Sequence, residues 1–410
     1  MCVFVQIPGG WMADRFGGKW LLFGCVLLSS LVSLLSPAAA RTHFGFFLSL
    51  RVLSGLGEGV MAPSLHALIV RWSKPKYRSL IVSVIFTGSD VGIIIAMLVS
   101  GVLSDHGFAG GWPSVFYLLG TVGCVWSVAW SLLCFDSPSV HPRISSTERE
   151  YWLTVLGTTN LVARPPTPWR KILTSVPVWA LAVAFFASLW DFYTLASCIP
   201  LFMHDVLGFD MTNNGIVSAV PFFATVLMIP AGFLSDWLRS PGRLSTSVVR
   251  KIFCVSGFLS TGCMLILTGF AGCDRVLAVV LMFIAVGCTC LLIPVVVVNQ
   301  LDLAPLHAGK IMGLTQFVAN LSSIAAPHAV GFLTRHRSSR SEWRHVFYLA
   351  AAISAVGAIV FVVFGSGRRQ SWANTTDVNC QDVPTFSKSG EVENIQTEDA
   401  ASPHFEAINN

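Results

Sequence analysis

The chain has 410 residues, of which 54% are hydrophobic and only 11% charged, with a mean hydropathy of +0.69. A soluble domain carries about 25% charged residues, so the composition excludes an ordinary soluble domain and indicates an integral membrane protein. The formal net charge of +5 is not a nucleic-acid footprint, because the basic residues sit in loops between apolar blocks.

Met1 to Gly9 is a short apolar stub, and Gly10 to Lys19 reads as a charged, glycine-rich loop. Apolar blocks long enough to cross a bilayer as helices follow at 20–40, 44–72, 79–103 and 114–135. A polar segment, 136–175, carries Pro138, Pro142, Pro165, Pro166 and Pro168 and divides the molecule as a linker. Further spans are predicted at 176–203, 213–234, 250–270, 275–298, 310–333 and 345–364. Residues 365–410 form a polar tail that reads as mostly disordered. The 11 cysteines are scattered, most of them within the apolar blocks, and read as small fillers; Cys288 and Cys290 have no second pair or histidine cluster to complete a metal site.

The span 44–72 carries Arg51, Glu58 and His66 within roughly 80° of one another at about 100° per residue, with Gly55, Gly59 and Ala62 on the same face. At about 1.5 Å per residue Arg51 and Glu58 are ~10 Å apart, and His66 lies ~12 Å further on. One reading is a polar route through the membrane; the other is an internal salt bridge with small residues for packing. Asp90 and Asp191 are further acids inside predicted spans. Either they face a cavity or they make a local hydrogen bond, to Ser89 or Tyr193.

The two parts echo each other. Gly10-x-x-x-Asp14-Arg15 recurs as Gly232-x-x-x-Asp236 with Arg239 close behind, and four spans follow each copy. Two full spans precede Gly232 and nine residues precede Gly10. The simplest account is that one whole span and most of a second precede this chain in the intact protein, giving six plus six spans as a parallel repeat about the membrane normal. The other is a natural ten- or eleven-span protein. With the Gly10–Lys19 loop placed in the cytoplasm, 19 of the 26 lysines and arginines lie on that side, and the C-terminus is cytoplasmic.

Gly10 to Lys19 resembles the loop between the second and third helices of major facilitator transporters. Arg51-Val52-Leu53-Ser54-Gly55-Leu56-Gly57-Glu58-Gly59, Asp136-Ser137-Pro138, Pro168-Trp169, Val249-Arg250-Lys251-Ile252, Asn299-Gln300-Leu301-Asp302-Leu303-Ala304-Pro305 and Glu342-Trp343 narrow it further. They are similar to the organic anion transporters that comprise sialin, the vesicular glutamate transporters and the sodium–phosphate cotransporter relatives, and Gly269 to Asp274 is more similar to sialin.

The resemblance implies an all-α polytopic membrane protein with the major facilitator fold: two six-helix bundles, the first helix and most of the second missing from this chain. It implies a proton-coupled, alternating-access carrier of small organic anions such as sialic acid, an acidic amino acid or a similar carboxylate. Such a carrier needs no cofactor beyond the coupling ion, H+ or Na+, and no nucleic acid, and works as a monomer in a lysosomal or vesicular membrane, alternatively the plasma membrane. A sodium-dependent phosphate or anion cotransporter, or a transport-dead sensor or scaffold, is the alternative. Carried over by residue, Arg51, Glu58 and His66 match the fourth-helix anion-recognition and proton-coupling set, and Tyr193 and Asn299 join the substrate contacts. Glu58, His66, Asp90 and Asp191 are the proton-coupling candidates. Gly10, Asp14, Arg15, Asp236 and Arg239 are the conformational latch. Ser188 stands where the glutamate carriers have a seventh-helix arginine, and Gln300 where the family pattern has histidine. No nucleophile pair, phosphate loop or metal set points to an enzyme.

Overall fold

The computed structural model describes residues 2–108, 110–156, 167–205, 220–240, 243–271, 274–334 and 340–373. Among them every regular element is helical, the expected outcome where a bilayer core leaves backbone groups no water to bond. Among the described residues nine helical stretches are long and apolar enough to cross a membrane.

The first half holds α1 (Cys2–Phe16), which is not among the nine, followed by α2 (Gly18–Thr42), α3 (Phe44–Trp72), α4 (Arg78–His106) and α5 (Pro113–Leu133), which supply four of them. The stretch expected to be a glycine-rich loop is helix up to Phe16. The chain turns only at Gly17, whose φ of 96° suits a residue without a Cβ. Hydroxyls inside the spans bond back to carbonyls one turn earlier, Ser30 to Val26, Ser36 to Val32 and Ser64 to Val60, which disposes of their polarity locally.

The segment between the halves holds two short helices, α6 (Ser146–Leu156) and α7 (Trp169–Leu173). The second half begins with α8 (Val176–Asp205). The span expected at 213–234 is described only from Val220, as a 3-10 stretch to Leu227 and then α9 (Met228–Leu238). Next is α10 (Thr246–Phe270), capped by Ser245, which accepts from the Val248 N–H. Asp274 caps α11 (Arg275–Thr289) in the same way. The expected span 275–298 then continues through a 3-10 turn into α12 (Ile293–Val296) and α13 (Asn299–Leu303), broken near Pro294, which has no amide hydrogen to donate. The expected span 310–333 is two helices, α14 (Ala308–Ala319) and α15 (Leu321–Leu333), meeting at Asn320, and α16 (Arg340–Phe364) closes the half.

Helices α1, α2, α3 and α5 pack on one another, as do α8, α10, α11 and α16. Between the two groups, α1 lies against α14 and α4 lies against α9. These pairs are equivalent under the internal repeat, since α1 and α9 carry the two Gly-x-x-x-Asp copies. The partner helices share a feature too: α4 and α14 are each preceded by a 3-10 turn opened by proline, Pro75–Tyr77 and Pro305–His307. The largest apolar cluster joins residues of both halves, among them Ile69, Val82, Leu181, Phe253, Val296 and Ile311.

The tail is not disordered from its start. Residues 365–373 are ordered, with Ala373 2% exposed and Trp372 packed against the large cluster. Residues 374–410 lie outside the described residues, as do Arg335 and Arg337.

Candidate functional site

The charged face of α3 does not form one polar string. The Arg51 guanidinium donates to Ser36 Oγ on α2 at 2.7 Å, and its carbon lies 5.0 Å from the Phe47 ring centre and 5.1 Å from that of Phe116. Its buried Nε has no hydrogen-bond partner. Arg51 is thus held by its flat faces while part of its donor fork stays unused. Glu58 is exposed and accepts the Ser54 hydroxyl at 2.8 Å, not Arg51. His66 is 0% exposed; its Nδ1 bonds the Ala62 carbonyl at 3.0 Å, and Val297 lies beside the ring. An internal Arg51–Glu58 bridge is therefore not the arrangement here: each side chain bonds a serine instead, Arg51 through one arm of its fork only, and the ~10 Å rise between them is not spanned. A cavity of about 340 Å³ lies at the far end of α3 from Arg51, lined by Leu65, Ile69, Trp72, Ile85, Phe135 and His141.

The remaining candidates separate. Asp191 is 0% exposed and accepts the Ser354 hydroxyl of α16 through both oxygens, at 2.8 and 2.7 Å. It is enclosed within the second half rather than facing a cavity, and its partner is neither Ser89 nor Tyr193. Asp90, on α4, is 8% exposed and lies near Cys290 at the end of α11. The Tyr193 hydroxyl lies 3.5 Å from Asn320 Oδ1, at the break between α14 and α15. Asn299, the other expected substrate contact, lies at the start of α13, and its buried Oδ1 has no hydrogen-bond partner. It is 0% exposed, and its amide donates to the Ser366 carbonyl at 3.0 Å, tying down the start of the tail.

The repeated motif makes the most connected polar structure among the described residues. Gly10 has the α14 backbone so near that a Cβ there would stand 2.3 Å from the Gly309 carbonyl oxygen. Asp14, one turn on, accepts the Lys310 N–H at 3.3 Å, with Lys310 Nζ at 3.9 Å. In the second copy a Cβ on Gly232 would stand 2.4 Å from Ser83 Oγ and 2.7 Å from the Ser79 carbonyl oxygen. Asp236 accepts the N–H groups of Leu80 at 2.8 Å and Ser79 at 3.3 Å. Each aspartate thus reaches the third residue of the opposing helix, whose N–H has no partner inside that helix.

Around Asp236 the network widens. Arg239 lies 3.5 Å from both Asp236 and Asp302. Arg250, 0% exposed, binds Asp302 Oδ2 through Nε at 3.0 Å and Nη2 at 2.7 Å, and its other arm reaches Ser79 Oγ at 3.2 Å and Ser235 Oγ at 3.0 Å. Arg78 donates to the Leu301 carbonyl at 3.4 Å. Sequence reasoning assigned Arg239 here but gave Arg250 and Asp302 no role. The available signal was a cation just inside the start of one apolar span and an anion at the end of another. Arg15 does not join: it is exposed, stacked over Trp11 and Phe16.

The sequence matches the profile of the Major Facilitator Superfamily over residues 1–327 and 240–379. The chain belongs to the major facilitator superfamily. Within it, it is 39% identical over 386 residues to vesicular glutamate transporter 3 of Danio rerio, covering 92% of this chain and 65% of that protein. It is 37% identical to human vesicular glutamate transporter 2, with the same shares, and 38% identical over 372 residues to human sialin, covering 90% of this chain and 74% of sialin. This places the major facilitator protein in the group that contains those carriers, and sets an enzyme aside. The chain spans 65% of the length of the first of these relatives. The fold is also that of the proton:xylose symporter XylE bound to 6-bromo-6-deoxy-D-glucose, with a TM-score of 0.70 at 14% identity over 90% of this chain and 85% of that one. The E. coli fucose:proton symporter FucP gives 0.58 at 13% identity, covering 87% and 86%.

Proposed function

We propose that this protein is a secondary active transporter of small organic anions, with a carboxylate such as sialic acid or an acidic amino acid as substrate. In this reading it acts as a monomer in a lysosomal or vesicular membrane. The observation that carries the reading is Arg51: a guanidinium fixed between two aromatic rings, with a buried Nε lacking a partner. A planar fork with an unused N–H suits a carboxylate, which an ammonium would hold only as a point charge. Membership of the group with sialin and the vesicular glutamate transporters supports the substrate class.

Coupling is to protons, and transport is by alternating access. Glu58 is the proposed proton carrier, since it is a carboxylate on the same helix that is not committed to a salt bridge. The Asp14 and Asp236 contacts hold the two halves together on the motif face, which we place in the cytoplasm together with the C-terminus. That face must part for the carrier to open towards the cytosol. The test is uptake into proteoliposomes. Arg51→Lys should cut anion uptake while leaving the protein folded, and Glu58→Gln should abolish proton-driven accumulation while exchange of labelled for unlabelled substrate survives. Accumulation by Glu58→Gln equal to the parent's would remove Glu58 from the coupling role.

A further inference from the structure

Residues 365–373 form a strap across the motif face. The Gly367 N–H donates to Ser247 Oγ at 2.9 Å, Asn299 Nδ2 donates to the Ser366 carbonyl at 3.0 Å, and the Gln370 N–H donates to the Leu303 carbonyl at 3.0 Å. Gly367 sits so close to α10 that a Cβ would meet the Ser247 backbone at 3.0 Å. The strap therefore holds the first turn of α10 and both ends of α13. Those two elements carry Arg250, one turn after Ser247, and Asp302, between Asn299 and Leu303.

The strap also carries the sequence Arg368-Arg369-Gln370-Ser371. Ser371 is exposed, as are both arginines. Two arginines at three and two positions before an exposed serine are the charge pattern that the acidic substrate groove of a basophilic serine kinase accepts. We propose that Ser371 is a phosphoryl-acceptor site for such a kinase and that its modification competes with docking of the strap. The inference rests on the cytoplasmic placement proposed above.

In the reaction, Ser371 Oγ forms a bond to the terminal phosphorus of a nucleoside triphosphate. The bond from that phosphorus to the diphosphate breaks, and the hydroxyl proton passes to the kinase's base. The competition has a geometric cause. In the docked strap the chain folds back on itself: the Arg369 guanidinium donates to the Ala373 carbonyl at 3.0 Å, the Gln370 side chain to the Arg368 carbonyl at 3.1 Å, and the Ala373 N–H to the Gln370 carbonyl at 3.0 Å. A kinase groove reads both arginines along an extended chain, so these turns must open first. Once placed, the dianion pairs with Arg368 and Arg369 and draws Arg369 off the Ala373 carbonyl. The strap then stays released, and α10 and α13 lose the clamp that sets Arg250 against Asp302.

The test uses the full chain in lipid nanodiscs, a purified basophilic serine kinase and a nucleoside triphosphate labelled on its terminal phosphoryl group, with the site read by peptide mass mapping. Label should enter Ser371 and vanish in Ser371→Ala. The double change Arg368→Ala with Arg369→Ala should slow it by roughly tenfold or more. Ser247→Ala removes a strap bond far from the acceptor and should speed labelling by about two- to tenfold, the worth of one hydrogen bond. Folded protein that takes no label at Ser371, in the parent or in Ser247→Ala, overturns the site. Equal rates in those two overturn the competition. A C-terminal tag protected from protease in sealed vesicles whose cytoplasmic face is outward overturns the cytoplasmic placement instead, and with it the use of the site in the cell.

Discussion

Replacing Asp236 by asparagine should unlatch the motif face. The carboxylate accepts the Leu80 N–H at 2.8 Å and the Ser79 N–H at 3.3 Å, both at the start of α4, while Arg239 approaches it from its own half at 3.5 Å. The two backbone bonds cross between the halves and exist only while the face is closed, whereas the arginine contact survives opening. Asparagine offers one acceptor oxygen and turns an amide donor towards groups that are themselves donors. The closed state therefore loses one charge-assisted hydrogen bond, about 1.5–3 kcal/mol. Taking about 2 kcal/mol, the closed-to-open ratio falls roughly thirtyfold. A parent closed 99 parts to 1 would become roughly 3 to 1. Spin labels at Tyr77 and Leu244, exposed by 44% and 39%, report it by pulsed electron resonance as a longer second distance that is minor in the parent. An unchanged distance distribution in a variant that melts like the parent would refute the reasoning, and would make the Asp236 contacts incidental to closure.

Gly10→Ala should unlatch the other copy by a steric route. A Cβ 2.3 Å from the Gly309 carbonyl oxygen forces α1 off α14, and labels across that pair should show the same second distance. Ser354→Ala leaves the buried Asp191 carboxyl without its donor and should cost about 1–3 kcal/mol, read as a lower melting temperature in detergent. Cysteine in place of Asp191, in a cysteine-depleted background, should stay inert to a water-soluble thiol reagent, since the position is 0% exposed. Arg51→Lys should raise the apparent KM for an anionic substrate about tenfold or more with little change in stability, because the point charge stays while the stacked fork is lost.

The spans were legible because a bilayer demands long apolar helices, and little else competes with that demand. Their interruptions were less so. Gly10 to Phe16 looks like a loop because glycine and aspartate are poor helix formers and the stretch carries charge beside an apolar block. The helix forms anyway because Gly10 is there for close approach to Gly309 rather than for a turn. Nothing in the sequence marks Asn320 as a break, since Pro327 lies further on, inside α15. The tail reads as mostly disordered because its composition is polar, with Trp372 the signal that its first residues pack. At the site, periodicity puts Arg51 and Glu58 on one face of a single helix, α3. A shared face seven residues apart is not a contact, and serines on α2 and on α3 itself took the two charges instead. Arg250 and Asp302 stand 52 residues apart in the chain, a pairing that no local pattern encodes.

The repeated motif shows why spacing carries more than residue type. Glycine and aspartate four apart lie on one helix face. The glycine lets the opposing helix come to backbone contact, and only then can a side chain as short as aspartate reach the first-turn N–H groups of that helix. In both copies the N–H reached is that of the third residue, Leu80 in α4 and Lys310 in α14. Those donors have no partner inside their own helix, so the aspartate supplies what the helix start lacks, and the helix dipole favours its charge. When the face opens, the same donors must find water, and they can, because they lie at the end of a span. The device is therefore strong enough to hold a closed state and cheap enough to release, which a buried ion pair in mid-membrane would not be. Alanine at Gly232 with Asp236 intact separates the two roles. If the spacing argument holds, it should open the face as far as Asp236→Asn does, because the carboxylate would still be present but out of reach.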